Sequence, residues 1–114
     1  MNKTVVNAYM DGFRKTDRDA ILDCLTDDVE WEIPGMFHIS GKREFAKHIV
    51  DEGFRGHPEI TVDRLTEEND VVVAEGRVRA PRDDGTVVDL AFCDVFEMQA
   101  GKIRKLVSYL VEIR

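Results

Sequence analysis

The sequence has little of what would signal a disulfide framework, a membrane span or a nucleic-acid groove. Two cysteines, Cys24 and Cys93, stand in 114 residues. They form no CxxC pair, so a reducing, cytoplasmic setting is expected. Apolar runs are short: Val71 to Ala74 and Leu90 to Cys93 are four residues each. After Met1-Asn2-Lys3 the chain soon reaches Asn7 and Asp11, so neither export nor membrane insertion is expected. Basic residues are scattered, 16 Lys and Arg against 23 Asp and Glu, for a formal charge of -7. That balance repels phosphate backbones, and no basic stripe interleaves with aromatics, so nucleic acid is not expected as a partner. His38, His48 and His57 show no HxxxH spacing and no accompanying cysteine pair, which argues against a metal. No GxGxxG or phosphate loop is present, and Gly35 to Gly41 does not follow the strand-to-helix pattern of a dinucleotide site, so no cofactor is expected.

What is present is a 43% apolar chain, long enough to bury roughly 65% of its unfolded surface as one domain spanning residues 1–114. Val5, Tyr9 and Phe13, with Val6 and Met10 beside them, recur at spacings of three and four, which predicts a first helix from an Asn2 cap to about Lys15. Asp17 caps a second short helix whose apolar face is Ile21, Leu22 and Leu25, and Thr26-Asp27-Asp28 breaks it. Val29 to Ile33 alternates strictly and reads as a strand with Val29, Trp31 and Ile33 on its buried face, ended by Pro34-Gly35. Ser40 is placed to cap a third helix carrying Phe45, Ile49 and Val50, with Gly53 as its stop. After His57-Pro58 the chain reads as sheet. Ile60 and Val62 alternate, Glu68-Asn69-Asp70 turns, and Val71 to Ala80 forms the next strand. Asp83-Asp84-Gly85 makes a hairpin, Thr86 to Met98 a long strand, Gln99-Ala100-Gly101 a turn, and Lys102 to Ile113 the last strand.

This order predicts an α+β fold: three N-terminal helices with one inserted strand, then an antiparallel meander. Strands of ten to thirteen residues would reach about 33 to 43 Å and cannot stay flat. A curved, mostly antiparallel sheet wrapped around the helices gives a cone with an interior pocket.

Two polar residues break the burial pattern on inward faces. Asp94 shares a strand face with Phe92, Phe96 and Met98; a carboxylate there keeps its proton or takes a strong partner, so its pKa is expected to rise and the group to be neutral near pH 7. An arginine partner or backbone N–H groups would serve as well. Tyr9 lies in the apolar stripe of the first helix, and its hydroxyl needs an interior partner or a pocket. One phenol and one carboxylic acid on inward faces can jointly donate to a developing enolate oxygen.

Tyr9, Asp17, Asp27-Asp28, the strand closing at Pro34, and Cys93-Asp94-Val95-Phe96 followed by Gly101-Lys102-Ile103 resemble, in order and spacing, the SnoaL-like and ketosteroid-isomerase branch of the nuclear transport factor 2-like superfamily. The resemblance implies its cone-shaped roll and puts Tyr9 and Asp94 at the oxyanion-hole positions of ketosteroid isomerase. It also implies a general base just before Pro34, where this chain has Ile33, which cannot move a proton. Glu32 precedes it but alternates to the opposite face. His38, in the loop Gly35-Met36-Phe37-His38 expected at the mouth, has the intrinsic pKa of a replacement base. Glu75 and Arg77 share a strand face with Val73 and Arg79; inward they would form a polar pocket wall with an ion pair, outward a solvated stripe. Trp31, Ile33, Phe37, Phe92 and Phe96 are the candidate apolar walls. Cys93 faces away from Asp94 and lacks a histidine neighbour, so it is not read as a nucleophile.

The last strand is apolar on both faces, Leu106 and Leu110 with Ser108 on one, Val107, Tyr109 and Val111 on the other. The spare face is read as a homodimer interface, sheet against sheet. Two functions follow. The first is an enzyme on a small apolar carbonyl compound by enolate chemistry (isomerase, cyclase or dehydratase), with Asp94 as neutral acid, Tyr9 as second donor and His38 as base. The second is a binding module for a small apolar ligand, or a dimeric association domain, without turnover.

Overall fold

The structure, a computed structural model, describes residues 1–49 and 57–113. Val50 on the third helix and Gly53 as its stop lie outside the described residues. Helix α1 (Asn2–Lys15) buries Val6, Tyr9 and Met10. It ends where Thr16 turns left-handed at φ 51° and gives its N–H to the Phe13 carbonyl at 3.1 Å. The expected Asn2 cap is not made: Met1 holds that position without a side-chain bond, and the Asn2 amide donates instead to Glu67 and Asp70. Helix α2 (Arg18–Leu22) starts as expected, with the Ala20 N–H donating to Asp17 Oδ1 at 3.2 Å.

Strand β1 runs over Leu25–Ile33, four residues earlier than the alternating pattern indicates, and takes in the Thr26-Asp27-Asp28 segment read as a helix breaker. Tertiary pairing overrides the poor strand propensity of the aspartates. Leu25 pairs with Ile103, and a register shift before Glu30 absorbs the irregular stretch. Val29, Trp31 and Ile33 keep the inward face. The segment read as a mouth loop is strand β2 (Phe37–Ser40), paired antiparallel to β1. Gly41, at φ 89°, rather than Ser40, occupies the cap of α3 (Lys42–Lys47).

Strands β3 (Glu59–Glu68), β4 (Val71–Pro81), β5 (Val87–Gln99) and β6 (Lys102–Glu112) form the meander. Asn69 and Asp70 both adopt positive φ, the conformation a two-residue hairpin turn demands and these residues tolerate. The sheet order is β2-β1-β6-β5-β4-β3, antiparallel throughout except that β1 runs parallel to β6. The six-stranded sheet is curved and unclosed. Helix α1 lies across β3, β4 and β6, and α3 covers β1 and β2. The core fills the space between, around Phe45, Phe96, Leu106 and Ile103. Among the described residues no helix is long and apolar enough to cross a membrane.

Gly76 is a point of close approach within the sheet. The β3–β4 ladder shifts register between Val62 and Arg64, and a Cβ at Gly76 would sit 2.0 Å from the Thr61 carbonyl oxygen and 2.9 Å from Phe92 Cζ. The ring of Phe92, its cross-strand partner, thus covers the bare glycine and becomes a wall of the interior. Gly76→Ala is expected to lower stability by about 1–3 kcal/mol or more, since the obstacle includes backbone. A urea midpoint equal to the parent's would show that the sheet relaxes freely there.

Candidate active site

The inward faces of α1, β1, β3, β4, β5 and β6 line a cavity of about 180 Å³. Its walls are apolar: Met10 and Phe13 from α1, Ile33 from β1, Val78 from β4, Leu90 and Phe92 from β5. The residues of the lining that carry a polar side-chain group are Tyr9, Ser108, Trp31 and Asp94.

Asp94 is 9% exposed and Oδ1 is buried with no hydrogen-bond partner. Burial pushes its pKa up to about 7, against a smaller opposing effect of the Ser108 hydroxyl as a hydrogen-bond partner. The direction agrees with the sequence reading, but the degree differs. That puts the group within reach of neutral pH, where a carboxyl can both accept and donate a proton. Tyr9 is 3% exposed and its phenol is pushed well above its ordinary value, first by burial, then by the negative charge of Asp94, then by Cys24. The hydroxyl therefore stays protonated and available as a donor. Its ring is fixed edge-on to Phe96 at 5.3 Å and against Phe13 at 5.0 Å.

Trp31 both fills the core and lines the cavity. Its ring stacks on Phe45 at 4.6 Å and 23°, and its indole N–H donates to Ser108 Oγ at 3.1 Å. Ser108 lies directly across the ladder from Asp94 and is 3% exposed. In the sequence Ser108 shares a strand face with Leu106 and Leu110 and carries no further mark of function. A hydroxyl between two inward leucines, in register with a buried carboxyl, was the signal.

The other candidates are placed elsewhere. His38 is on the outer face: in β2 it pairs with Glu32, and its Nε2 lies 3.1 Å from Glu30 Oε1 with half the side chain in solvent. Once Phe37 to Ser40 forms a strand, alternation sends His38 away from the cavity. Phe37 does not line the cavity but packs edge-on to Trp31 at 5.3 Å and against His48 at 4.6 Å, buttressing the wall from behind. Phe96 is fully buried beneath the cavity. On β4 it is Ala74, Gly76 and Val78 that turn inward; Glu75 and Arg77 are on the outer side, and Glu75 accepts from Arg64 Nη2 at 2.6 Å rather than pairing with Arg77. Cys24 and Cys93 are free thiols pushed up by burial, the opposite of an activated thiolate. Among the described residues no three metal-ligating side chains cluster.

Helices packed into a curved six-stranded sheet, with a mostly apolar cavity between, define a fold of the nuclear transport factor 2-like class. The chain belongs to the SnoaL-like domain family, whose model matches residues 6–106. No curated protein matches the sequence. Among solved structures it is similar to an LEH-like epoxide hydrolase from M. tuberculosis, at 24% identity and TM-score 0.85 over 96% of this chain and 82% of that one. A putative polyketide cyclase from Xanthomonas campestris aligns at 21% identity and TM-score 0.85, over 95% of this chain and 88% of that one. An NTF2-like protein of unknown function from Burkholderia pseudomallei aligns at 19% identity and TM-score 0.87, over 96% and 90%.

Proposed function

We propose that the protein is an enzyme that moves a proton on a small, largely apolar carbonyl compound, using Asp94 and Tyr9 of its own chain. One observation carries this reading: a buried carboxyl with one oxygen, Oδ1, free of hydrogen bonds and a buried phenol both belong to the lining of a cavity whose walls are otherwise almost wholly apolar. Ionised Asp94 takes a proton from the carbon beside the carbonyl. The Tyr9 hydroxyl donates a hydrogen bond to the oxygen on which the enolate charge develops. The carboxylic acid so formed returns its proton to a second carbon of the conjugated system, which completes an isomerisation and restores Asp94. With His38 outside the cavity and Ile33 inert, Asp94 acts as both acid and base, instead of the neutral acid beside a separate base.

Size narrows the substrate. A cavity of about 150 Å³ holds benzene, so one of about 180 Å³ suits a single six-membered ring with short substituents. Conversion of a β,γ-unsaturated cyclohexenone to its conjugated isomer, followed by ultraviolet absorbance, is the direct test, with planar phenols as enolate mimics read by thermal shift. Isomerisation by the native protein, lost in Asp94→Asn, is expected. Phenol binding without turnover of any ring-sized enone would leave the second reading, a small-ligand binding module, which the apolar Ile33 at the usual base position favours.

The outer sheet face is proposed as the interface with a second copy, in a cytoplasmic setting consistent with two free thiols. Tyr109 and Val111 are 50% and 66% exposed there, in register with Cys93 and Ala91. Beside this apolar strip, on β4, Arg77 is level with Ala91 and Val111, while Glu32 and Glu30 on β1 stand opposite Val107 and Lys105, further along the strand. A melting temperature that rises with protein concentration and is lowered by Val111→Arg is expected; sedimentation as a 13.0 kDa monomer at micromolar concentration would remove the interface.

A further inference from the structure

We propose that Ser108 is a positioning residue for Asp94, the middle member of a one-way hydrogen-bond chain that starts at the Trp31 indole and ends at the carboxylate. The direction follows from donor chemistry. An indole N–H can only donate, and that of Trp31 donates to Ser108 Oγ at 3.1 Å. The serine is thereby held as an acceptor. Its hydroxyl has one proton, and Asp94, directly opposite on the ladder, is the acceptor the chain leads to. Trp31 is itself packed among rings, stacked on Phe45 and edge-on to Phe37 and Phe13. In the proposed chain the serine proton is therefore offered to Asp94 before any ligand arrives.

A hydrogen bond donated to a carboxylate favours its ionised form. Burial acts in the opposite sense, and among the described residues no cation is present in the cavity lining to help. Tyr9 on α1 is the one titratable group of the lining that faces Asp94; β1, β3, β4 and β6 present no ionisable side chain to the cavity among the described residues. Ser108 is thus the group that keeps Asp94 within reach of neutral pH while Oδ1 stays free for the ligand. The inference rests on Asp94 being the working acid–base group of the proposed function, and extends it by naming what tunes that group.

The test is a carbon-detected NMR titration of the Asp94 carboxyl in the full chain. Ser108→Ala is expected to raise its midpoint by about one to two pH units, the shift equivalent to one hydrogen bond to a charged group. Ser108→Thr, which keeps a hydroxyl, is expected to restore it. Trp31→Phe keeps the serine but frees its rotation, so an intermediate shift is expected. If Ser108→Ala does not fold, the Trp31→Phe titration decides. An unmoved midpoint in the folded Ser108→Ala protein, or in Trp31→Phe where that variant decides, overturns the inference. The titration needs no turnover. A shifted midpoint with no enone isomerised would remove the proposed reaction and leave the hydrogen-bond chain standing, whereas isomerisation with an unmoved midpoint would do the reverse.

Discussion

Asp94→Asn is expected to cut enone isomerisation by about 10² to 10⁴-fold, the usual worth of a positioned acid–base group, while making the protein more stable at pH 8 and less stable at pH 4. The sign follows from proton linkage. The carboxyl titrates at about 7 in the fold against its ordinary 3.8, so between those values the native state holds a proton that the unfolded chain has released. Stability is fully present below about 3.8, falls as pH rises, and levels off above about 7. The difference of about 3 pH units, at roughly 1.36 kcal/mol each, makes the cost at pH 8 on the order of 4 kcal/mol. An asparagine amide carries no charge to bury, but its unmatched N–H donors cost about 1–3 kcal/mol at every pH. The urea-derived stability curves of parent and variant should therefore cross between pH 4 and 8. Parallel curves would mean that Asp94 titrates like a solvated aspartate, and the proposed chemistry would lose its base.

The residues that could be read from sequence were those whose position is set by local periodicity. Tyr9 and Met10 follow from the three-four spacing of α1, and Asp94 from two-residue alternation in β5; both patterns survive folding because each element buries one continuous face. His38 and Phe37 were misplaced because nothing local marks Phe37 to Ser40 as a strand. Its pairing with β1 is a tertiary fact, and one flip of alternation moves a histidine from the mouth to the outer face. The start of β1 failed for the same reason, through its pairing of Leu25 with Ile103.

Glu75 and Arg77 show a different limit. Either face of β4 was chemically acceptable in sequence. The choice was made by Gly76, since only a residue without a Cβ fits under the Thr61 carbonyl and the Phe92 ring. Once that glycine is inward, its charged neighbours must face out, where Glu75 meets Arg64. Ser108 was missed because its role depends on two partners, Trp31 and Asp94, brought together from β1 and β5 by the parallel β1–β6 pairing. A hydroxyl has no periodicity of its own.

Tyr9→Phe separates transition-state stabilisation from packing at a single atom. The phenylalanine keeps the ring and hence the contacts with Phe13, Phe45 and Phe96 at 5.0, 6.3 and 5.3 Å. The lost hydroxyl has no hydrogen-bond partner among the described residues, so stability should stay level or rise by a few tenths to about 1 kcal/mol. Turnover should behave otherwise. One donor to a developing oxyanion is worth about 2.7–4 kcal/mol in a water-poor site, a loss of roughly 10² to 10³-fold in kcat, with KM little changed because the ground-state carbonyl is the weaker acceptor. Thermal shift by planar phenols should shrink in the same variant, since a bound phenolate uses the same donor. If kcat is unchanged while stability falls, Tyr9 is a core residue and the oxyanion is held by another group. If both constants fall together with Asp94→Asn, and the double variant is no worse than Asp94→Asn alone, the two residues act as one unit on one enolate.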